Sequence, residues 1–186
     1  IIHQAADEIR LKIVQAGVGG SNLRAEKGIN FPDTELRIPA LTREDRANLG
    51  AVAEHADIIN MSFVGSSADV ADLLDELSAL SAESVAVVLK IETVAAFQAL
   101  PDLLLEAMRW PNVGVMIARG DLAVEAGFER LAELLEEILW LCEAAHVPVI
   151  WATQVLESMA KSGLPSRSEI TDAAMAQRAE AVMLNK

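Results

Sequence analysis

Hydrophobic and polar positions follow two alternating periods along most of the chain, beginning at about residue 41. Short apolar runs, such as VAVVLKI at 85–91 and VGVMIA at 113–118, contain no early polar break. Such runs are typical of parallel strands that are covered on both faces. Each run is followed by a segment with apolar residues at helical spacing. The pattern predicts parallel, adjacent strands near 57–63, 84–91, 112–118, 147–152 and 180–184, alternating with helices.

The order of these segments places the protein in the α/β class. A repeat of roughly 30 residues is typical both of a (β/α)₈ barrel and of a doubly wound sheet. No GxGxxG or P-loop motif follows any strand, which argues against a dinucleotide or Walker-type site. Five units would form only part of an eight-stranded barrel.

Residues 1–40 do not share this rhythm. RLKIVQAG at 10–17 resembles a strand, a glycine-rich stretch follows, and Pro32 and Pro39 exclude a helix before residue 41. We interpret 1–40 as the end of a small β-domain with a linker, and 41–186 as the C-terminal part of a barrel. The chain begins with Ile1 and stops directly after a strand pattern, so we expect a fragment of a longer protein.

Composition narrows the classes of partner. The formal net charge of −13 and the pI near 4.6 leave no basic surface for nucleic acid. No stretch of about 20 apolar residues predicts a membrane span, and no signal peptide is recognisable. Cys142 is the only cysteine. A reducing, cytoplasmic compartment and a packed core thiol are therefore expected.

The strand at 85–91 ends on charged residues. Successive strand side chains point to opposite faces, so Lys90 and Glu92 share a side and Ile91 turns away. An amphipathic segment follows directly, which places both charges at a strand-to-helix junction, where α/β proteins bind ligands. Taken alone, the pair fits a simple ion pair or solvated caps equally well.

Two further strand ends carry polar residues. Asp121 follows VGVMIA, and Thr153 and Gln154 follow VPVIWA. Because parallel strand ends converge on one edge, these residues and Glu92 should surround one pocket. Two carboxylates with open positions suit Mg²⁺, and a neighbouring lysine could stabilise an enolate or a transferring phosphoryl group. An ion pair alone would leave Asp121 unexplained.

Several motifs together resemble the pyruvate kinase family. They are KGINFPD, LTREDRANL, SFVGSSADV, LKIET, MIARGDLAVE, VPVIWATQVLESM, and SRSEITDAAMA leading into AVMLN. They run in the family's order from about Gly20 to the C-terminus. The resemblance implies a partial TIM (β/α)₈ barrel of the phosphoenolpyruvate-binding type, comprising strands four to eight, preceded by the return segment of the lid domain.

The resemblance also implies catalytic and metal-binding roles. Lys90 would stabilise charge on the phosphoryl group and the enolate. Glu92 and Asp121 would hold Mg²⁺ or Mn²⁺. Thr153 would lie beside the substrate and help to protonate the enolate through water. Potassium is also possible, but its expected ligands lie outside this chain.

Substrate binding is implied for Arg119, Gly120, Asp121 and Thr153, with backbone amides at the start of a short helix receiving the phosphoenolpyruvate carboxylate. The implied reaction transfers phosphate from phosphoenolpyruvate to ADP and gives pyruvate and ATP, the last step of glycolysis. The nucleotide-binding residues are expected outside the 186 residues, so this segment alone should be inactive. A homo-oligomer is expected.

The chain departs from the family pattern at two places. Gly65 stands where the family usually has arginine, and Asn185-Lys186 replace its usual Ser-Gly-Glu. Two alternatives therefore stay open. One is a metal-dependent aldolase or lyase of the phosphoenolpyruvate-binding barrel group, which shares IET but not KGINFPD or ATQVLESM. The other is a catalytically silent relative that retains the pocket.

Overall fold

A computed structural model describes residues 1–14, 16, 18–20, 22, 30–32, 34 and 38–184. Most of the KGINFPD motif and the Asn185-Lys186 end lie outside the described residues. The described strands are β1 (His3–Gln4), β2 (Ile9–Arg10), β3 (Ile58–Met61), β4 (Ala86–Ile91), β5 (Val113–Ala118), β6 (Val149–Val155) and β7 (Ala181–Leu184). The described helices are α1 (Arg43–His55), α2 (Ser67–Ala79), α3 (Val94–Gln98), α4 (Leu100–Ala107), α5 (Arg119–Ala126), α6 (Phe128–Ala145), α7 (Glu157–Ser162) and α8 (Arg167–Ala176).

The five longer strands form one parallel sheet in the order β3-β4-β5-β6-β7. Consecutive strands are neighbours, as β/α repeats require. The sheet is curled into a half-barrel with helices around it. The predicted α/β class, the five parallel strands and the partial barrel are confirmed.

The two faces of the sheet differ because strand side chains alternate. Leu89, Ile117 and Trp151 are buried in the large core between sheet and helices. Val88 and Met116 belong to a separate small cluster, which lies on the concave face. The parity of β4 puts Lys90 on the same face as Val88. The concave face therefore carries the first of the predicted site residues.

Helix ends follow local sequence signals. Thr42, Ser66 and Ser166 each cap a helix through a complete capping box, with an acidic residue at the third helical position. Between β4 and β5, where the alternating pattern predicts one helix, the structure has two, α3 and α4. Pro101 lies at the start of α4 and has no N–H for the helical ladder, which explains the break.

α6 is the longest helix in the described part of the chain, with 18 residues. One face, including Leu134, Ile138 and Cys142, is buried in the core. Among the described residues, no helix is long and apolar enough to cross a membrane. The Cys142 thiol is fully buried, and this burial, together with nearby Glu180, raises its pKa to about 12. It is a packed thiol, as predicted.

The start of the chain forms little regular structure. β1 and β2 pair antiparallel over two residues each. The strand predicted over 10–17 is wrong for its described residues beyond Arg10, since Leu11 to Val14 lie outside any strand and are exposed. Apolar residues alone do not make a strand where no partner supplies hydrogen bonds.

Candidate active site

Lys90 and Glu92 form an ion pair at the carboxyl edge of the sheet, which is the edge where the parallel strands β3 to β7 end. Lys90 Nζ lies 2.7 Å from Glu92 Oε1 and donates a hydrogen bond to Ser62 Oγ at 2.8 Å. The Glu92 side chain is only 3% exposed, whereas that of Lys90 is 24% exposed. The buried carboxylate is thus compensated by a cation that still reaches solvent.

The turn after β3 supplies the second partner of Glu92. Phe63 donates its backbone N–H to Glu92 Oε2 at 2.6 Å. Phe63 adopts a left-handed conformation, with φ of 53°, which is unusual for a bulky residue. The sequence predicts Ser62 and Phe63 as the last residues of the strand near 57–63 and not as site residues, whereas the structure ends β3 at Met61 and puts both in the turn that follows.

Glu92 and Asp121 supply the type of ligand that magnesium prefers. They follow neighbouring strands, β4 and β5, and Asp121 lies half-buried in the first turn of α5. Among the described residues, no group of three or more His, Cys, Asp or Glu side chains has the geometry of a metal site. Two carboxylates fit a hard cation that keeps several waters. Each carboxylate oxygen has a second lone pair, so Glu92 can retain its Phe63 contact on binding such an ion.

The start of α5 meets the end of β6. Gly120 donates its N–H to Thr153 Oγ1 at 3.0 Å. No side chain caps this helix, whose first turn contains Gly120 and Asp121. First-turn amides have no partner within a helix and attract anions. The Thr153 hydroxyl accepts from Gly120, so its own proton is available to another acceptor.

Arg119 is held by contacts with the protein. Its Nε donates to Ala152 O at 2.8 Å, and its two terminal nitrogens contact Thr153 O and the Asp172 carboxylate. The guanidinium carbon lies 4.7 Å from the centre of the Trp151 ring. Burial lowers the pKa of Arg119, and the charge and hydrogen bond of Asp172 oppose this shift.

Backbone strain is concentrated at this edge. Six described non-glycine residues have positive φ, and four of them, Phe63, Thr153, Gln154 and Leu156, follow or end strands here. The pairing of β6 with β7 is irregular between Trp151 and Val155. Strained residues persist only where surrounding contacts hold them, and they are concentrated at functional sites.

Comparisons with known proteins agree with this geometry. The sequence model described as the pyruvate kinase barrel domain matches residues 2–186. The chain belongs to the pyruvate kinase family. It is 34% identical over 184 residues to pyruvate kinase from Geobacillus stearothermophilus, covering 97% of this chain and 30% of that protein.

Two other pyruvate kinases give similar values. The Methylorubrum extorquens protein is 38% identical over 176 residues, covering 93% of this chain and 35% of the relative. The Thermococcus litoralis protein is 37% identical over 183 residues, covering 97% and 36%. The chain therefore spans about a third of the length of the curated relatives it matches.

The structure brings the pyruvate kinase-like residues together in two groups. Lys90 pairs with Glu92, and Arg119 and Gly120 meet Thr153. In the part of the chain that the structure describes, no hydrogen bond or ion pair joins these groups, and the Asp121 side chain makes neither kind of contact. Their roles stay predictions.

Two contributors to the second group were not predicted. Asp172 lies on α8, 53 residues after its partner Arg119, and no sequence signal links the two. Trp151 is a fully buried strand residue whose pattern indicates only core packing.

Gly65, which departs from the family pattern, lies in the turn before α2. Its N–H donates to Asp69 Oδ2 at 3.1 Å. A Cβ there would lie 3.7 Å from that oxygen, an ordinary contact. The backbone therefore leaves space for a Cβ at this position.

Proposed function

We propose that the protein is a pyruvate kinase-like phosphotransferase that moves phosphate from phosphoenolpyruvate to ADP. The observation that carries this proposal is the placement of Lys90. Its ammonium group lies at the carboxyl edge of a half-barrel, between Ser62 Oγ and the buried Glu92 carboxylate. Active sites of such barrels lie at this edge.

Lys90 is proposed to stabilise the negative charge of the transferring phosphoryl group and of the enolate left behind. An ammonium group has three donors, and Ser62 and Glu92 account for two of them. A fixed cation at a partly dry site stabilises developing charge without reorganising during the reaction. This supports a catalytic role rather than a purely structural one.

Glu92 and Asp121 are proposed to hold Mg²⁺ or Mn²⁺. When bound, the cation would neutralise charge on the phosphoryl and enolate oxygens. This chain would contribute two carboxylates, which follow the ends of neighbouring strands. Glu92 is already fixed by the Phe63 amide at 2.6 Å. Lys90 occupies one lone pair of Oε1, so the cation would use a remaining lone pair of the same carboxylate.

The first turn of α5 is proposed to bind the phosphoenolpyruvate carboxylate through its backbone amides. The Gly120 amide contacts Thr153 Oγ1, so the hydroxyl would lie beside the proposed anion site. Because Oγ1 accepts from Gly120, the hydroxyl proton can pass to the enolate, directly or through one water, while a solvent water returns a proton to Oγ1 and leaves the threonine neutral. Thr153 is thus the proposed proton donor.

The remaining partners are proposals for the whole protein. They are phosphoenolpyruvate and ADP, with no nucleic acid and no membrane as partner, and further copies of the chain in a homo-oligomer. Exposed apolar residues, including Val124, Phe128 and Met159, lie on α5 to α7 and would suit contacts between copies. A cytoplasmic site in glycolysis agrees with a single buried cysteine.

A second candidate function is a catalytically silent relative that retains the pocket. Two observations favour it: Gly65 lacks the cation usual in the family, and Glu92 is already paired with Lys90. Such a protein would bind Mg²⁺ and phosphoenolpyruvate without turnover.

A coupled assay of the full protein distinguishes the two candidates. With phosphoenolpyruvate, ADP and Mg²⁺, we expect pyruvate to form, and no pyruvate when ADP is withheld. Binding of phosphoenolpyruvate without turnover, measured by calorimetry, would support the silent relative. Release of pyruvate from another substrate, with no dependence on ADP, would favour the aldolase or lyase alternative.

A further inference from the structure

The Arg119 side chain is committed to the protein rather than open to a ligand. It is 11% exposed, and its three nitrogens all contact protein oxygens. One face of the guanidinium lies over Trp151. Direct binding of a substrate anion would require these contacts to be broken, so the side chain must serve another purpose.

The two carbonyl groups that Arg119 holds flank a single residue. Ala152 O belongs to the peptide group before Thr153, and Thr153 O belongs to the peptide group after it. The orientations of these two groups define φ and ψ of Thr153. A planar guanidinium that donates to both carbonyls fixes both dihedrals at once.

The conformation that is fixed in this way is unfavourable by itself. Thr153 has φ of 67°, and the next residue, Gln154, has φ of 51°. A β-branched residue with positive φ is a genuine outlier, and each such residue costs about 1–3 kcal/mol. The turn therefore needs contacts that hold it, and Arg119 supplies two.

Arg119 is itself fixed from two sides. Asp172 of α8 pairs with one terminal nitrogen, and the Trp151 ring supports the guanidinium face. The Trp151 indole N–H has no hydrogen-bond partner among the described residues. This buried residue therefore contributes through its ring rather than through its polar group.

We propose that Arg119 is a positioning residue that enforces the left-handed turn at Thr153 and so keeps the hydroxyl on the Gly120 amide, with Asp172 as its anchor. The catalytic consequence rests on the proposed function, because it assumes that Thr153 protonates the enolate. The structural part concerns only the turn and can be tested separately.

The first experiment measures the turn directly in the full protein. In Arg119→Met, we expect crystal structures to show Thr153 leaving positive φ, and hydrogen exchange at the Gly120 amide to accelerate at least tenfold. Asp172→Asn, a milder change, should give a smaller shift in the same direction. Arg178→Met removes an arginine paired with Glu136 elsewhere in the fold and should leave both readings unchanged.

A rescue variant separates positioning from general loss of stability. Gln154→Gly lowers the cost of the second left-handed residue. Arg119→Met combined with Gln154→Gly should therefore recover part of the Gly120 protection. General destabilisation would instead accelerate exchange at core amides as much as at Gly120. An unchanged turn in both Arg119→Met and Asp172→Asn would overturn the proposal.

The second experiment measures catalysis. Exchange of the pyruvate methyl protons with solvent should fall about 10²-fold in kcat in Arg119→Met, with KM changed much less, since a small misplacement of a catalytic group costs this much. A displaced turn at Thr153 with normal exchange of the pyruvate methyl protons would overturn the catalytic part of the proposal. A displaced turn in a protein whose wild type never handles phosphoenolpyruvate would refute the proposed function and leave the positioning role standing.

Discussion

The two edges of the sheet use the same kind of contact for different purposes. The amino edge is the opposite one, where the same strands begin. There, Val149 donates its N–H to Glu180 at 2.6 Å, and Trp110 donates its indole N–H to Val85 O at 2.8 Å. At the carboxyl edge, Phe63 donates its N–H to Glu92, also at 2.6 Å. Only the carboxyl-edge carboxylate also pairs with a lysine on the concave face.

The difference lies in strain and in unused hydrogen-bonding capacity. The amino-edge contacts satisfy backbone and indole groups next to regular strands. The carboxyl edge includes four left-handed residues and groups with donors to spare, Lys90 and Thr153. Strain that stability does not require is expected where geometry serves chemistry. In barrels of this type, residues at the amino edge usually serve stability and residues at the carboxyl edge usually serve function.

Cavity size alone would place the active site at the amino edge instead. A cavity of about 450 Å³ lies at the amino edge, lined by residues that include Cys142, His146 and Glu180. A smaller one, of about 290 Å³, lies beside Arg119 and Asp172. The larger cavity is the poorer candidate for catalysis, because burial raises the pKa of its thiol to about 12 and makes it a poor nucleophile.

Removing Lys90 should have the largest effect. In the full protein, Lys90→Met is expected to lower turnover by about 10²–10³, the usual loss when one preorganised charge is removed. It leaves the buried Glu92 carboxylate without its cation, so the melting temperature should fall as well. Steady-state kinetics and thermal unfolding measure the two effects.

Only the turnover rate distinguishes a catalytic role of Lys90 from a structural ion pair, since stability should fall in either case. Lys90→Met combined with Glu92→Gln removes both charges and should recover stability but not activity, because a neutral pair avoids an uncompensated buried charge. Glu92→Gln alone should weaken Mg²⁺ binding in a titration. Unchanged turnover in Lys90→Met would show that the pair is only structural.

Thr153→Ala should have the next largest effect. Loss of the hydroxyl is expected to slow proton exchange of pyruvate by about 10², within the usual contribution of a proton donor, while phosphoryl transfer changes less. Thr153→Ser is the matched control, since it keeps the hydroxyl that accepts from Gly120. Equal losses in both half-reactions would contradict a specific role in protonation.

The comparison also shows what sequence can and cannot predict. Hydrophobic periodicity found all five parallel strands because each is a short, largely apolar run bounded by turn signals, including β7, whose residues are exposed. It also placed Lys90 and Glu92 on one side, since alternation along a strand is fixed geometry. The division of α3 from α4 was missed, although Pro101 was visible in the sequence.

Other features of the site depend on tertiary structure. The left-handed Thr153 has no local signature, because a β-branched residue by itself favours extended backbone. The contact of Arg119 with Asp172 joins residues 53 positions apart. The backbone amide of Phe63 is invisible to any rule about side chains. The sequence therefore predicted the carboxyl edge as the site, but the contacts that shape this edge could be identified only from the tertiary structure.

Glu169 should give a smaller, pH-dependent effect on stability. This carboxylate accepts from the backbone N–H groups of Ser166 and Ser158, which joins α8 to α7, and these bonds lower its pKa. Its stabilisation is therefore present above the unfolded pKa and is lost as pH falls through the folded pKa. Glu169→Gln should lower the free energy of unfolding at pH 7 and match the wild type in strong acid.

Urea unfolding at both pH values measures this difference. Glu157→Gln is the control, because its ion pair with Lys161 is local to α7 and partly exposed, and such pairs contribute little. Equal losses at neutral and acid pH would mean that packing, rather than the charge of Glu169, joins the helices. A loss confined to neutral pH would show that the charge of Glu169 stabilises the fold.

The smallest effect is expected at the amino edge, from Cys142. With its pKa raised to about 12, roughly one thiol in 10⁴ is ionised at pH 8, and the side chain is fully buried. Iodoacetamide should leave the native protein unmodified and label it once unfolded, as mass spectrometry would show. Cys142→Ala should cost about 1 kcal/mol of stability, a typical value for a point substitution, and leave turnover unchanged. Rapid labelling of the native thiol with loss of turnover would contradict the proposed division between a stabilising amino edge and a catalytic carboxyl edge.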